Sequence, residues 1–365
     1  MATRSGNPCL LFFPYLPVQG VYGLGPWQLG PLEAYQGQWA SEDFERLSQI
    51  FLSSFKDAIG NPLGNVYLLS HKKRGMDGVR PTRPQIRAIQ RSIDFALLDR
   101  SFSSPQADGW FSITSDNSEF FVWPIDTAGG YVALGRGSII SVLNGGLRID
   151  DGLAVPAPLE LHMPIAPLTL DAELVTAMYG LFTRRFAGSD DVLRKRIEVA
   201  VGWLAKAWRN SPSVTMDDRI VFLKTGFEAL SGGISNTRDC ARWLRTLFET
   251  ELAGTTWQGT SHLLWSPREK PRFTYQHASR PWTESNVTEL QHWFLTFGER
   301  RNTIIHDGTS PKFSYTLRGS RYNGFIFRTA ERLLRESIKV SMKQLGYPDI
   351  WRSETRRSLG RLLSK

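Results

Sequence analysis

The sequence predicts an α+β protein, with a mixed α/β sheet domain over 1–165 followed by an all-α bundle over 170–365. Three observations carry that expectation. The apolar period lengthens from two to between three and four residues beyond Asp171, a proline-rich stretch separates the two patterns, and the net charge changes sign between them. With 365 residues, 41% hydrophobic and 22% charged, the chain can bury one or two cores and is too balanced in composition to be disordered or fibrous.

In chain order, the first half opens with a Gly/Pro-rich stretch and two helical candidates, Ala40 to Phe55 and Arg83 to Leu98. Short β-branched or aromatic runs follow at Trp110 to Thr114, Glu119 to Trp123, Tyr131 to Leu134 and Ser138 to Leu143, separated by Asp, Asn, Gly and Pro, which reads as a small sheet. Pro156, Pro158, Pro164 and Pro167 exclude a helix or central strand between Leu153 and Pro167, so the domain boundary is expected there. Asp171 then reads as the N-cap of a helix carrying Leu174, Met178, Leu181 and Phe182. Ser189 with Asp190 and Asp191 opens a second, with Leu193, Ile197, Ala200, Val201, Leu204 and Trp208 on its buried face. Thr215 and Asp218 approximate a capping box for a third, which Gly232 and Gly233 stop. Further helices are expected at about 237–250, 284–306 and 325–346, with a long loop or irregular excursion at 254–283. Eight of the twelve Trp lie in the second half, and Trp203, Trp208, Trp243 and Trp293 fall at core spacing, which suits packing rather than base stacking.

Composition also excludes function classes. The longest apolar stretch, Cys9 to Val18, is broken by Pro14 and Pro17 and is far short of the roughly 18 residues a membrane-spanning helix needs; it also lacks the flanks of a secretory leader. Two cysteines, Cys9 and Cys240, cannot build a disulfide framework or a cysteine zinc site, and a reducing cytoplasm fits. Residues 1–170 hold 13 Lys/Arg against 15 Asp/Glu, whereas 171–365 hold 31 against 20. The positive surplus therefore belongs to the helical half, which favours a polyanion such as nucleic acid as its partner. No Walker loop, HExxH, GxSxG or convincing GxGxxG is present, so ATPase and zinc-hydrolase readings drop out, and no cofactor or metal is expected.

Of the six histidines, His306 has the most suggestive setting. Leu290, Trp293, Phe294, Phe297 and Ile304 form the buried stripe of a helix that Gly308 should stop, so Arg301, Asn302 and His306 gather in its last turns. Asn302 and His306, four apart, share a face. Arg301 sits ~140° from His306 on the wheel, but its long side chain can reach the same place. The same Arg-to-His spacing recurs at Arg272 and His277, between Pro271 and Pro281 and without helical periodicity, and reads as a chance copy. A second basic signal is the stripe Arg328, Arg332, Arg335, Lys339 and Lys343, stepping by four, three, four and four along one helix face. It is either a phosphate-binding surface, extended by Arg352, Arg356, Arg357, Arg361 and Lys365, or a solvated face paired with Glu331 and Glu336.

Three segments carry a resemblance. Asp218-Arg-Ile-Val-Phe-Leu-Lys-Thr-Gly-Phe-Glu-Ala-Leu230, Asn236-Thr-Arg-Asp-Cys-Ala-Arg-Trp-Leu244 and Arg300-Arg-Asn-Thr-Ile-Ile-His306-Asp-Gly308 resemble, in order and spacing, the ApeA-like branch of the HEPN superfamily (higher eukaryote and prokaryote nucleotide-binding helical domains) over about 215–310. The family signature is an Arg, then a polar residue, then a His four to six positions after the Arg. The chain departs from it in carrying Asp307 between His306 and Gly308, which moves the helix end by one residue. The resemblance implies an all-α HEPN bundle and a metal-independent endoribonuclease with Arg301, Asn302 and His306 as catalytic residues. It also implies a homodimer that pairs two such sites, and a setting in prokaryotic antiviral defence, such as abortive infection, or as a toxin. RNA, including tRNA, would be the substrate, and 1–165 would sense a phage or cellular trigger or an antitoxin. Glu228 and Arg238 also sit where the family keeps charged residues, and Arg300 is a further candidate beside the trio. They either orient the site or, for Glu228 and Arg238, form a buried pair joining two helices, the plainer reading. Two other classes stay open: a non-catalytic nucleic-acid or nucleotide-binding module, and a protein-interaction module.

Overall fold

A computed structural model describes residues 9–38, 45, 66–73, 81–103, 118, 121–126, 133–134, 138–143, 146–151, 167–209, 213–252, 272–275, 282–285, 287–307 and 323–347. The chain divides into two units, Met1–Arg184 with Arg209–Ser211 and Arg185–Trp208 with Pro212–Lys365.

The first unit is built on an antiparallel sheet. Its strands are β1 (Cys9–Phe13), β2 (Tyr22–Leu24), β3 (Trp27–Pro31), β4 (Tyr67–His71), β5 (Phe121–Asp126), β6 (Ala133–Leu134), β7 (Ser138–Leu143) and β8 (Gly146–Asp151). Their order is β2-β3-β4-β1-β5-β7-β8, with β6 paired to β5. One row of paired positions crosses the whole order as Tyr22, Leu29, Leu69, Leu11, Val122, Ile140 and Ile149. An apolar residue at every step of that row explains the register, because a slip by one residue would turn the row onto the opposite face. The helix α1 (Arg83–Ser103) starts on Thr82 and Gln85, whose side chains each bond the other's backbone N–H, and it buries Ala88, Ile89, Ile93, Phe95, Ala96 and Leu97. Of the earlier candidates, the helix at 40–55 lies outside the described residues except for Glu45, which is helical, and the run at 110–114 and the proline-rich stretch before Pro167 also lie outside them.

The helix α2 (Ala172–Thr183) belongs to this unit and not to the helical half, because its contacts are with α1 and β2. Asp171 caps it as expected, its Oδ1 accepting from the N–H groups of Glu173 and Leu174 at 3.0 and 3.2 Å, and Thr176 donates to the Gly23 carbonyl at 3.1 Å.

The second unit is mostly helical, with α3 (Gly188–Ala207), α4 (Met216–Leu230), α5 (Thr237–Leu252), α6 (Glu289–Asp307) and α7 (Asn323–Gln344). It also holds a hairpin of β9 (Arg272–Tyr275) and β10 (Trp282–Ser285), where a loop was expected. Phe273 and Trp282 give the hairpin its packing, with ring centroids 6.0 Å apart. The capping box of α4 is present in full: Thr215 Oγ1 accepts from Asp218 N and Asp218 Oδ2 from Thr215 N at 2.8 Å. Gly232 and Gly233 leave the helix at φ +98° and +84°, a left-handed turn that a side chain at either position would strain. The core is a ring cluster in which Phe227 of α4 meets Phe294 and Phe297 of α6, and Trp293 stacks on Phe297 at 5.3 Å. Each such buried ring contributes about 1.5–3 kcal/mol of transfer free energy. The three further tryptophans expected at core spacing, Trp203, Trp208 and Trp243, are half-buried, with Trp203 and Trp208 packed on Phe222 and Phe327. Among the described residues no helix is long and apolar enough to cross a membrane.

Candidate active site

The expected trio lies on the last two turns of α6, and the local sequence explains how it is held. Thr288 and Gln291 form a capping box that starts the helix: Gln291 N donates to Thr288 Oγ1 at 3.2 Å, and Thr288 N to Gln291 Oε1 at 3.1 Å. Residues 284 and 285, expected at its start, are instead paired in β10. At Gly298 the helix touches Thr237, the first residue of α5, so closely that an added Cβ would collide with the threonine side chain. Beyond that contact the helix emerges from the core: Arg300 is buried, Arg301 and Asn302 are half-buried, and Ile305 and His306 are exposed.

Arg301 donates from Nη1 to Asn302 Oδ1 at 3.0 Å, so two of the three expected residues are in direct contact. Its Nη2 lies 4.0 Å from Glu228 Oε2 on α4, while Glu228 Oε1 accepts from Lys224 Nζ at 2.9 Å. Lys224 is fully buried, one helical turn before Glu228, with its ammonium 5.4 Å from the centre of the Phe294 ring. The charges alternate as Lys224, Glu228, Arg301, which leaves one positive charge in surplus on the guanidinium nearest solvent. His306 follows Asn302 by one turn on the same helix.

Neighbouring groups fix what this site can do. Arg300 turns the other way and pairs with Asp217 at 3.6 Å; burial pulls its guanidinium below the usual value, and the Asp217 carboxylate opposes that pull. Asp217 and Glu228 are eleven residues apart on α4, about 16 Å along its axis, so the two adjacent arginines reach α4 at widely separated points. The Cys240 thiol is 3.8 Å from Ser231 Oγ, and burial pushes it up to about 11, which keeps it protonated and removes it as a nucleophile.

The remaining candidates are not part of this arrangement. The expected Glu228–Arg238 pair does not form: Arg238 donates instead to Glu284 on β10, which also accepts from Arg242 Nη2 at 2.7 Å. Glu228 is the one of the two that touches the site. The basic stripe on α7 is not an open surface either. Arg335 and Lys339 are buried, with Glu336 Oε1 3.3 and 3.6 Å from their nitrogens, because α7 packs against α3, α4 and α5. Arg332 is half-buried and Lys343 exposed, while the Arg328 side chain and the basic tail from Arg352 lie outside the described residues. Lys224, Asp217 and Glu284 were missed by sequence reasoning. Lys224 had a readable signal, since it falls in step with Ile220 and Phe227 on the buried stripe of α4. Comparison with protein-family models, with curated proteins and with solved structures returns no match.

Proposed function

We propose that the chain is a metal-independent endoribonuclease of the HEPN kind, with Arg301, Asn302 and His306 as its catalytic residues. The observation that carries the reading is the Arg301–Asn302 contact at 3.0 Å beside an exposed His306 one turn further along α6. RNA supplies its own nucleophile. A base takes the proton of a 2′-hydroxyl, O2′ bonds to the adjacent phosphorus, and the P–O5′ bond breaks as the leaving oxygen takes a proton. The products are a 2′,3′-cyclic phosphate and a 5′-hydroxyl. Imidazole suits either proton transfer near neutral pH, and the Arg301 fork stabilises the charge that builds on the phosphorane oxygens. Asn302 orients the guanidinium and the ribose. Two proton transfers call for two imidazoles, so the working species is a homodimer that pairs two trios across its axis. The sheet unit acts as the recognition half, answering a phage or cellular trigger or an antitoxin, in antiviral defence by abortive infection or as a toxin.

The test is incubation of the purified full chain with end-labelled tRNA and single-stranded RNA in EDTA, beside His306→Ala and Arg301→Ala. Cleavage to cyclic-phosphate ends is expected, reduced about 10²–10⁴-fold in His306→Ala and strongly in Arg301→Ala. Cleavage that both variants retain overturns the assignment, and RNA binding without cleavage by any form favours a non-catalytic binding module.

A further inference from the structure

We infer that Lys224 is a positioning residue of this site: by holding the Glu228 carboxylate, it keeps the Arg301 guanidinium available to an incoming phosphate. This rests on the nuclease reading above and names a residue that makes no contact with the trio itself.

The argument starts from burial. A lysine with no exposed side-chain surface is costly unless its charge is compensated, and Glu228 compensates it through a 2.9 Å contact one turn away. The carboxylate is shared unequally. Oε1 is hydrogen-bonded to Lys224, whereas Oε2 lies 4.0 Å from Arg301 Nη2, beyond hydrogen-bond reach. Coulomb attraction falls with distance, so Lys224 is the stronger of the two claims on Glu228. The consequence for Arg301 is a guanidinium with one short bond, to Asn302, and most of its donors uncommitted.

Without the ammonium, Glu228 has Arg301 as its remaining cation among the described residues. A carboxylate and a guanidinium close readily into a bidentate pair, which would take up the donors and cancel the surplus positive charge at the point where phosphate charge develops. Lys224 thus sets how strongly Glu228 holds Arg301.

The experiment uses the full chain as wild type, Lys224→Met, Glu228→Gln and the double variant. Two readouts are taken: kcat and KM for RNA cleavage in EDTA, and the rotation rate of the Arg301 guanidinium about Nε–Cζ from side-chain nitrogen NMR, assigned with Arg301→Lys. Lys224→Met is expected to slow that rotation and to lower kcat by about ten- to a hundredfold at temperatures where circular dichroism shows it folded. Adding Glu228→Gln is expected to restore both, a recovery in kcat and rotation that a purely structural lysine would not give. The double variant buries neither charge, so it decides the case even if Lys224→Met does not fold. Cleavage near the wild-type rate supports the inference, and a loss of about tenfold or more in the folded double variant overturns it. Unchanged Arg301 rotation in folded Lys224→Met also overturns it. If the wild-type chain cuts no RNA, the nuclease reading falls while the rotation rates still decide what Lys224 does to Arg301.

Discussion

Two basic stretches of the helical unit look alike in sequence and end in opposite environments. The end of α6 carries Arg300, Arg301 and His306, and exposure rises along it from a buried Arg300 to an open His306. The face of α7 carries Arg332, Arg335, Lys339 and Lys343, and its middle is sealed, with Arg335 and Lys339 sharing the buried Glu336. The lesson is that charge periodicity reports which residues share a helix face, whereas the neighbours of that face decide whether water or phosphate can reach it. At α6 a cation is presented; at α7 cations are part of the core.

That contrast can be broken by substitution, most forcefully at Arg335. Replacing it with Ala removes one partner of a buried pair and is expected to cost about 3–5 kcal/mol, read as a lower denaturant midpoint. An unmoved midpoint would mean that the α7 stripe is solvated after all. Arg300→Ala should follow with a loss of about 1–3 kcal/mol, since it empties a buried site and removes the pair with Asp217. Its neighbour sharpens the comparison: Arg301→Ala leaves Glu228 bonded to Lys224 and should shift stability by less than about 1 kcal/mol while removing cleavage. Lys343→Ala, on the exposed end of α7, is expected to leave the midpoint where it is. In equilibrium binding, Lys339→Gln should leave the salt dependence of RNA affinity unchanged, because a lysine held inside the core releases no counterions from phosphate.

Much of the fold is legible in the sequence, and each such element has a local cause. Thr215 with Asp218, Asp171 before its helix, and Gly232–Gly233 after α4 are signals that need nothing beyond a few neighbouring residues. The stripe Leu290, Trp293, Phe294 and Phe297 placed α6 for the same reason, and β7 was found residue for residue because Ser138 to Leu143 is β-branched between turns. What sequence missed depended on distant partners. The β9–β10 hairpin is two four-residue strands whose apolar content is mainly Phe273 and Trp282, too little to stand out among Gly, Pro and Ser. The Arg238–Glu284 pair joins residues 46 apart and Glu228 faces Arg301 on another helix, choices no spacing rule contains, whereas its bond to Lys224 is an i,i+4 step. Within the site, Arg301, Asn302 and His306 were named from spacing and resemblance, whereas Lys224 was passed over because a helical lysine is ordinarily assumed to face water.

The neighbouring arginines of α6 have a mechanical meaning. Arg300 is paired with Asp217, and Arg301 faces Glu228 at the longer distance of 4.0 Å, at points about 16 Å apart on α4. The end of α6 thus meets α4 at two places rather than one, and the segment that bears His306 is tied to the same helix that carries Lys224.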